Sequence, residues 1–250
     1  MRLYVWTFVG VGRPHFPTSK LPYLKVTLRE LTRLARGGEG EHLEFKRRVP
    51  EGPRIARELV ALANSTGGRL LLGVADDGEV AGLQYATEER FALRHAAERY
   101  CRPPVDYDTE TVPLDGRSAQ DRRRDVIVVT VQESAQKPHM LEETEAGADE
   151  KSGVAYVRVG EMSVEASPEA VALMEADEEV GVTFQFGENE QLLMRYLEEY
   201  TRVTVGQFAK MAGIDEVEAS STLLTLAKAD ILRIQADREE DYFVLALSSP

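Results

Sequence analysis

The run Leu70-Leu71-Leu72-Gly73-Val74 restricts the fold of this chain more than any other stretch. Its flanks are turn formers: Gly67-Gly68 stands before it, and Asp76-Asp77-Gly78 follows. A short apolar segment bounded in this way reads as a strand covered on both faces, and so as a central member of a sheet. A central strand needs neighbours on both sides and layers over both faces. Asp77-Gly78 is a hairpin signal, returning the chain through Val80 to Leu83.

The segments before the run supply neighbours and a covering layer. Thr27 caps a helix predicted over 28–36, with Glu30 three residues on as in a capping box. Leu28, Leu31, Leu34 and Ala35 share one face, and Gly37-Gly38 ends the helix. Residues 41–46 alternate as a strand, with Leu43 and Phe45 on one side and His42, Glu44 and Lys46 on the other. Pro53 opens a second helix with a stripe of Ile55, Leu59, Leu62 and Ala63, ending near Asn64. Gly67-Gly68 then turns the chain into the central strand.

Beyond Leu83 the pattern continues in the same mixed style. A helix runs from Thr87 to about Tyr100 and is closed by Pro103-Pro104. Strands are predicted over 105–113, 126–131 and 154–160, with a polar loop from Asp115 to Arg124. Lys137-Pro138-His139 lies in a loop, and the acidic stretch Glu142 to Glu150 reads as an excursion from the fold. Ser167-Pro168 starts a helix to about Glu179. These elements make an α+β, mixed-sheet domain over 26–180. Residues 1–25, with three prolines, read as an extended N-terminal extension with one edge strand.

Residues 181–250 form a different pattern. Asn189 caps a helix carrying Leu192, Leu193, Tyr196 and Leu197. Helices over 205–211 and 217–229 follow, then β runs at 231–234 and 242–245. Three helices and a β-hairpin are the order of a winged helix-turn-helix. Residues 183–247 hold 6 Lys/Arg against 12 Asp/Glu, a poor surface for phosphate. The expected role of this domain is therefore as much partner binding or homodimer formation as DNA recognition.

Composition bounds the chemistry. The formal charge of −13 argues against a general coat for polyanions. Its distribution is uneven: residues 1–60 hold 12 Lys/Arg against 6 Asp/Glu, a net of +6, so residues 61–250 carry −19. The lone Cys101 excludes an internal disulfide and a cysteine-based zinc site, and suits a reducing cytoplasm. The apolar run from Leu3 to Gly12 is too short to span a bilayer, so no membrane partner is expected.

Three candidate groups remain. Glu39 and Glu44, brought together by the bend at Gly38 and Gly40, have the carboxylate oxygens that suit Mg²⁺ or Mn²⁺. Such an ion polarises a phosphodiester and activates water, and Lys46 on the same strand face offsets phosphate charge. The ordinary alternative is a strand edge bearing a Glu–Lys pair. Lys46-Arg47-Arg48 is the clearest basic run and suits a phosphate backbone, with Lys137 and Arg158 as extensions of that surface. Asn64 and the glycine pair do not make a nucleotide site: no phosphate loop or dinucleotide fingerprint occurs, so ATP is not supported. The four histidines lack metal-ligand spacing.

Taken together, Glu39 to Lys46, Ala63-Asn64-Ser65 with Gly67-Gly68 and the apolar run, Asp77-Gly78 with Gly82, Lys137-Pro138-His139 and Tyr156 to Gly160 resemble the Schlafen-type AlbA domain. The resemblance covers about 27–180. It implies a nucleic-acid-binding protein, often a transcriptional regulator followed by a winged helix. In Schlafen proteins it also implies an endoribonuclease with three acidic residues and a divalent cation. By that resemblance Glu39 and Glu44 fill the first two acidic positions. The third falls near Ala75, where an acid is often found, leaving Asp76 to complete the set. The expectations are thus DNA or RNA binding through Lys46, Arg47, Arg48, Lys137 and Arg158; alternatively, ribonuclease chemistry at Glu39, Glu44 and Asp76; or an interaction module without nucleic-acid contact.

Overall fold

The computed structural model describes residues 5–7, 25–50, 52–114, 124–142, 153–176 and 183–246. The predicted loop over 115–124 and the acidic stretch over 142–150 lie almost wholly outside these residues, as does most of the N-terminal extension. In chain order the elements are β1 (Val5–Thr7), α1 (Leu28–Gly37), β2 (Leu43–Lys46), α2 (Gly52–Asn64), β3 (Gly68–Leu72) and α3 (Ala86–Tyr100). Next come β4 (Cys101–Arg102), β5 (Tyr107–Leu114), β6 (Arg124–Val131), β7 (Met140–Leu141), β8 (Val154–Val159) and β9 (Met162–Glu165). The chain continues through α4 (Pro168–Met174), β10 (Thr183–Gln185), α5 (Glu188–Tyr200), β11 (Arg202–Val203), α6 (Val205–Ala212), α7 (Glu216–Lys228), β12 (Leu232–Gln235) and β13 (Tyr242–Leu245). The protein is α+β and divides into two units, one of them spanning Lys20–Glu165.

In that unit the central strand is β3, within the sheet order β2-β3-β6-β5. β2 runs parallel to it, pairing Phe45 with Leu71, and β6 runs antiparallel, pairing Leu71 with Val128. The parallel pair requires a crossover, which α2 supplies. One face of the sheet, through Leu70, Leu72, Ile127 and Val129, packs on Ile55, Leu59 and Leu62 of α2 and Leu93 of α3. The other face, through Phe45, Leu71, Val126 and Val128, packs on Leu31 and Ala35 of α1. Alternating side chains therefore reach two cores, and this explains why the run is apolar throughout. A second sheet, ordered β4-β7-β8-β9, was only partly expected, because β4, β7 and β9 are two to four residues long.

The turn into β3 depends on glycine. Gly67 has φ +77°, and a Cβ there would stand 2.7 Å from the Val131 carbonyl oxygen. At Gly68 a Cβ would stand 2.8 Å from the carbonyl oxygen of His42. The pair lets α2 end tightly between β2 and β6 and contributes no side chain. Cys101 is buried, and burial pushes its thiol up to about 12, so it is a packing residue rather than a nucleophile.

The second unit contains β1 and the chain from Ala166 onward. β1 pairs antiparallel with β10. α5, α6 and α7 enclose Leu193, Leu197, Phe208 and Leu223, with Phe243 from the sheet β11-β13-β12. Asp215 caps α7 by accepting from the Glu218 amide at 2.8 Å. Asn189 lies inside the first turn of α5, whose N-cap is Gly187. α4 is shorter than expected, ending at Met174, and it packs on α7, where Ser220 Oγ donates to Glu169 Oε1 at 2.7 Å. No helix among the described residues is long and apolar enough to cross a membrane.

Candidate functional site

β2 carries the candidate residues, and its two faces treat them differently. Leu43 and Phe45 point into the α1 core, so Glu44 and Lys46 must face α2. Glu44 is consequently buried at 6% exposure. A carboxylate there needs compensation, and it has two cations. Lys46 Nζ bonds Glu44 Oε1, and Arg158 Nη1 from β8 bonds Glu44 Oε2 at 3.1 Å. The same Nη1 reaches Glu58 Oε2 of α2 at 3.1 Å, and Nη2 donates to the Gly40 carbonyl at 2.8 Å. Ser163 Oγ on β9 donates to Glu58 Oε2 at 2.5 Å. Arg57 Nη2 closes the series on Glu58 Oε1 at 3.4 Å, with its guanidinium 6.0 Å from the Tyr156 ring centroid.

This is a buried charge ladder linking β2, α2, β8 and β9. Burial raises the Glu44 carboxyl above its ordinary value of 4.5; the Lys46 hydrogen bond opposes that shift, and the neighbouring Glu58 charge reinforces it. A raised folded-state value means that the folded protein holds this proton more tightly than the unfolded chain does. The stability tied to that proton is complete below 4.5 and is lost as pH rises through the raised value. Relative to Glu44→Gln, the wild-type protein should therefore lose stability as pH climbs from below 4.5. Urea unfolding of both proteins across a pH series measures this, and a difference that stays constant with pH contradicts it.

The structure does not gather the three expected carboxylates. Glu39 Oε1 accepts the Phe45 amide at 2.8 Å, tying the β2 edge to the preceding bend. Both oxygens of Glu44 are taken by Lys46 and Arg158. Asp76 is exposed in the turn where the Gly78 amide donates to the Ala75 carbonyl at 2.8 Å. Among the described residues no three His, Cys, Asp or Glu side chains form a group fit for a metal ion. The residues as arranged do not fit Mg²⁺ or Mn²⁺.

The basic candidates also separate. Arg158 is a structural cation: its side chain is 1% exposed and every contact it makes is internal. That burial removes it from any phosphate-facing surface. Lys137 Nζ pairs with Glu133 Oε1 at 2.7 Å beside the His139 loop. Lys46 is turned onto Glu44 and is 25% exposed. Arg47, 69% exposed, has among the described residues a 3.4 Å contact with exposed Glu79. Arg48 is exposed and has no ion pair among the described residues.

The remaining sequence blocks are fastenings. Asn64 Nδ2 donates to the carbonyls of His139 at 2.8 Å and Tyr156 at 3.0 Å, and its Oδ1 accepts the His139 amide at 2.8 Å. The His139 ring bridges the Pro103 carbonyl at 2.8 Å and Ser134 Oγ at 2.7 Å. Ser65 Oγ accepts the Arg158 amide at 2.8 Å. Glu58 and Ser163, central to the ladder, were not singled out in the sequence. Glu58 carried a readable signal: three residues after Ile55 and four before Leu62, it is a carboxylate on the apolar stripe of α2.

These features define an α+β domain with a mixed sheet, an α2 crossover and a buried ionic core under a basic strand end. A family model described as Schlafen, AlbA_2 matches residues 39–167, just over half of the chain, and the chain belongs to that family. At the level of the family, membership associates it with nucleic-acid-related function. No curated protein matches the chain. Among solved structures it is similar to the DIP2311 protein from Corynebacterium diphtheriae, at 16% identity and a TM-score of 0.34. That match covers 82% of this chain and 34% of the other, so the chain spans about a third of that protein's length. A likeness this distant bears on neither fold nor function.

Proposed function

We propose that this protein binds nucleic acid through the basic end of β2, with Arg47 and Arg48 as the principal phosphate contacts. The observation that carries the reading is their exposure at the tip of a strand whose other charges are neutralised internally. Guanidinium groups suit phosphate oxygens, and their field there opposes the acidic remainder of the chain. Lys46 contributes less, because Glu44 already holds it.

The second unit has the element order of a winged helix-turn-helix, and we assign it a regulatory role. Glu216 and Glu218 in the first turn of α7 disfavour phosphate there, so partner contact or self-association suits it better than base reading. Ribonuclease chemistry finds no support in a Glu44 committed to two cations.

The test uses Arg47→Ala/Arg48→Ala and leaves Lys46 in place, since its loss would strip a partner from buried Glu44. Fluorescence anisotropy with labelled RNA and DNA should show binding weakened about tenfold or more at low salt. Wild-type affinity in the double variant would rule out the strand end as the contact.

A further inference from the structure

The basic surface does not stop at the strand end. Residues 46–57 hold Lys46, Arg47, Arg48, Arg54 and Arg57 against the single acid Glu51, in a chain whose net charge is −13. α2 is buried around most of its circumference: Ile55, Ala56, Glu58 and every residue from Leu59 to Asn64 are inside. In its first two turns it leaves Arg54 exposed and Arg57 with 42% of its side chain in solvent. Spaced three apart, the two side chains share one helix face.

The charge ladder ties that face to the strand end. Lys46, Glu44, Arg158, Glu58 and Arg57 form an unbroken series of ionic contacts from β2 to α2. Three cations face two carboxylates, leaving one net positive charge whose partly exposed members, Lys46 and Arg57, lie at its two ends. Arg57 is also positioned by Tyr156, whose ring lies 6.0 Å from its guanidinium carbon. A cation held over a ring face keeps its outer N–H groups available and loses less freedom when a phosphate binds. Its bond to Glu58, at 3.4 Å, is a long one.

We infer that Arg54 and Arg57 form a second phosphate-contacting segment, so that a nucleic-acid backbone runs from the β2 end along the start of α2. Tyr156 acts as a positioning residue for Arg57. This inference rests on the proposed binding at Arg47 and Arg48, and the experiment separates the two.

Affinities of the full chain for a labelled 20-nucleotide single strand and its duplex, each as RNA and as DNA, are measured from 50 to 200 mM salt. Each lost contact should flatten the logarithmic salt dependence of single-strand binding by about 0.7. Arg54→Gln/Arg57→Gln should thus flatten it by about 1.4 and weaken low-salt binding about tenfold or more. Because Arg57 touches the buried ladder, Arg54→Glu serves as the second variant; it is exposed, should leave thermal unfolding unchanged, and should weaken binding too. If Arg47→Ala/Arg48→Ala weakens binding while both α2 variants keep wild-type affinity and slope, the α2 segment is overturned and the strand end stands. If the wild-type protein binds none of the four probes, both are overturned.

Discussion

Replacing Arg158 with methionine should lower the unfolding free energy by about 3–5 kcal/mol, the usual cost of breaking a buried ionic group from one side. The guanidinium stands between Glu44 and Glu58, each at 3.1 Å, and all three residues are about 5–6% exposed. Its removal leaves two carboxylates facing each other inside the protein, with Lys46 and Arg57 compensating only from the ends. Methionine fills similar space, so the loss reports charge more than cavity. Adding Glu44→Gln and Glu58→Gln should recover a large part of the stability, because the buried charges disappear together. Urea unfolding of the single and triple variants measures this. Equal stability of Arg158→Met and wild type would show that the ladder is solvated or open.

The second large effect is expected at Asn64. Its side chain satisfies two carbonyls and one amide, at His139 and Tyr156, from a position 4% exposed. Asn64→Ala leaves all three groups without their partner, and a buried unsatisfied group costs about 1–3 kcal/mol. A loss of about 3 kcal/mol follows, reduced wherever water enters. The His139 amide should also exchange with solvent much faster, since its acceptor is gone. Hydrogen exchange at that amide checks the local claim independently of global stability, and unchanged protection there contradicts it.

These two residues show what the sequence could and could not disclose. The central strand, the α2 crossover and the glycine turn were legible because periodicity and turn chemistry are local. So was the α5–α7 series with its closing hairpin. The partnerships of Arg158 were not legible: Glu44 and Glu58 lie 114 and 100 residues away along the chain. Strand alternation along β8 places Arg158 on the face away from Val157 and Val159 and toward α2, not on the surface expected from its charge. Glu44 and Lys46 were correctly assigned a common strand face. The sequence did not reveal that α2 covers that face, which turns an apparent site for chemistry into an ionic core. β9, the strand that carries Ser163, is four residues long and half-buried, and its alternation was too brief to stand out.

The contrast sharpens the functional reading. Charges that look alike in the sequence divide into a buried ionic group around Arg158 and the exposed Arg47, Arg48 and Arg54, with Arg57 partly exposed at the end of that group.

The most direct measurement is the salt dependence of wild-type binding to labelled single-stranded RNA and DNA between 50 and 200 mM salt. Engagement of Arg47 and Arg48 alone predicts a logarithmic slope of about −1.4 or steeper, with affinity falling steadily as counterions compete. Absence of binding at 50 mM salt, or an affinity that does not change with salt, would contradict the proposed interface.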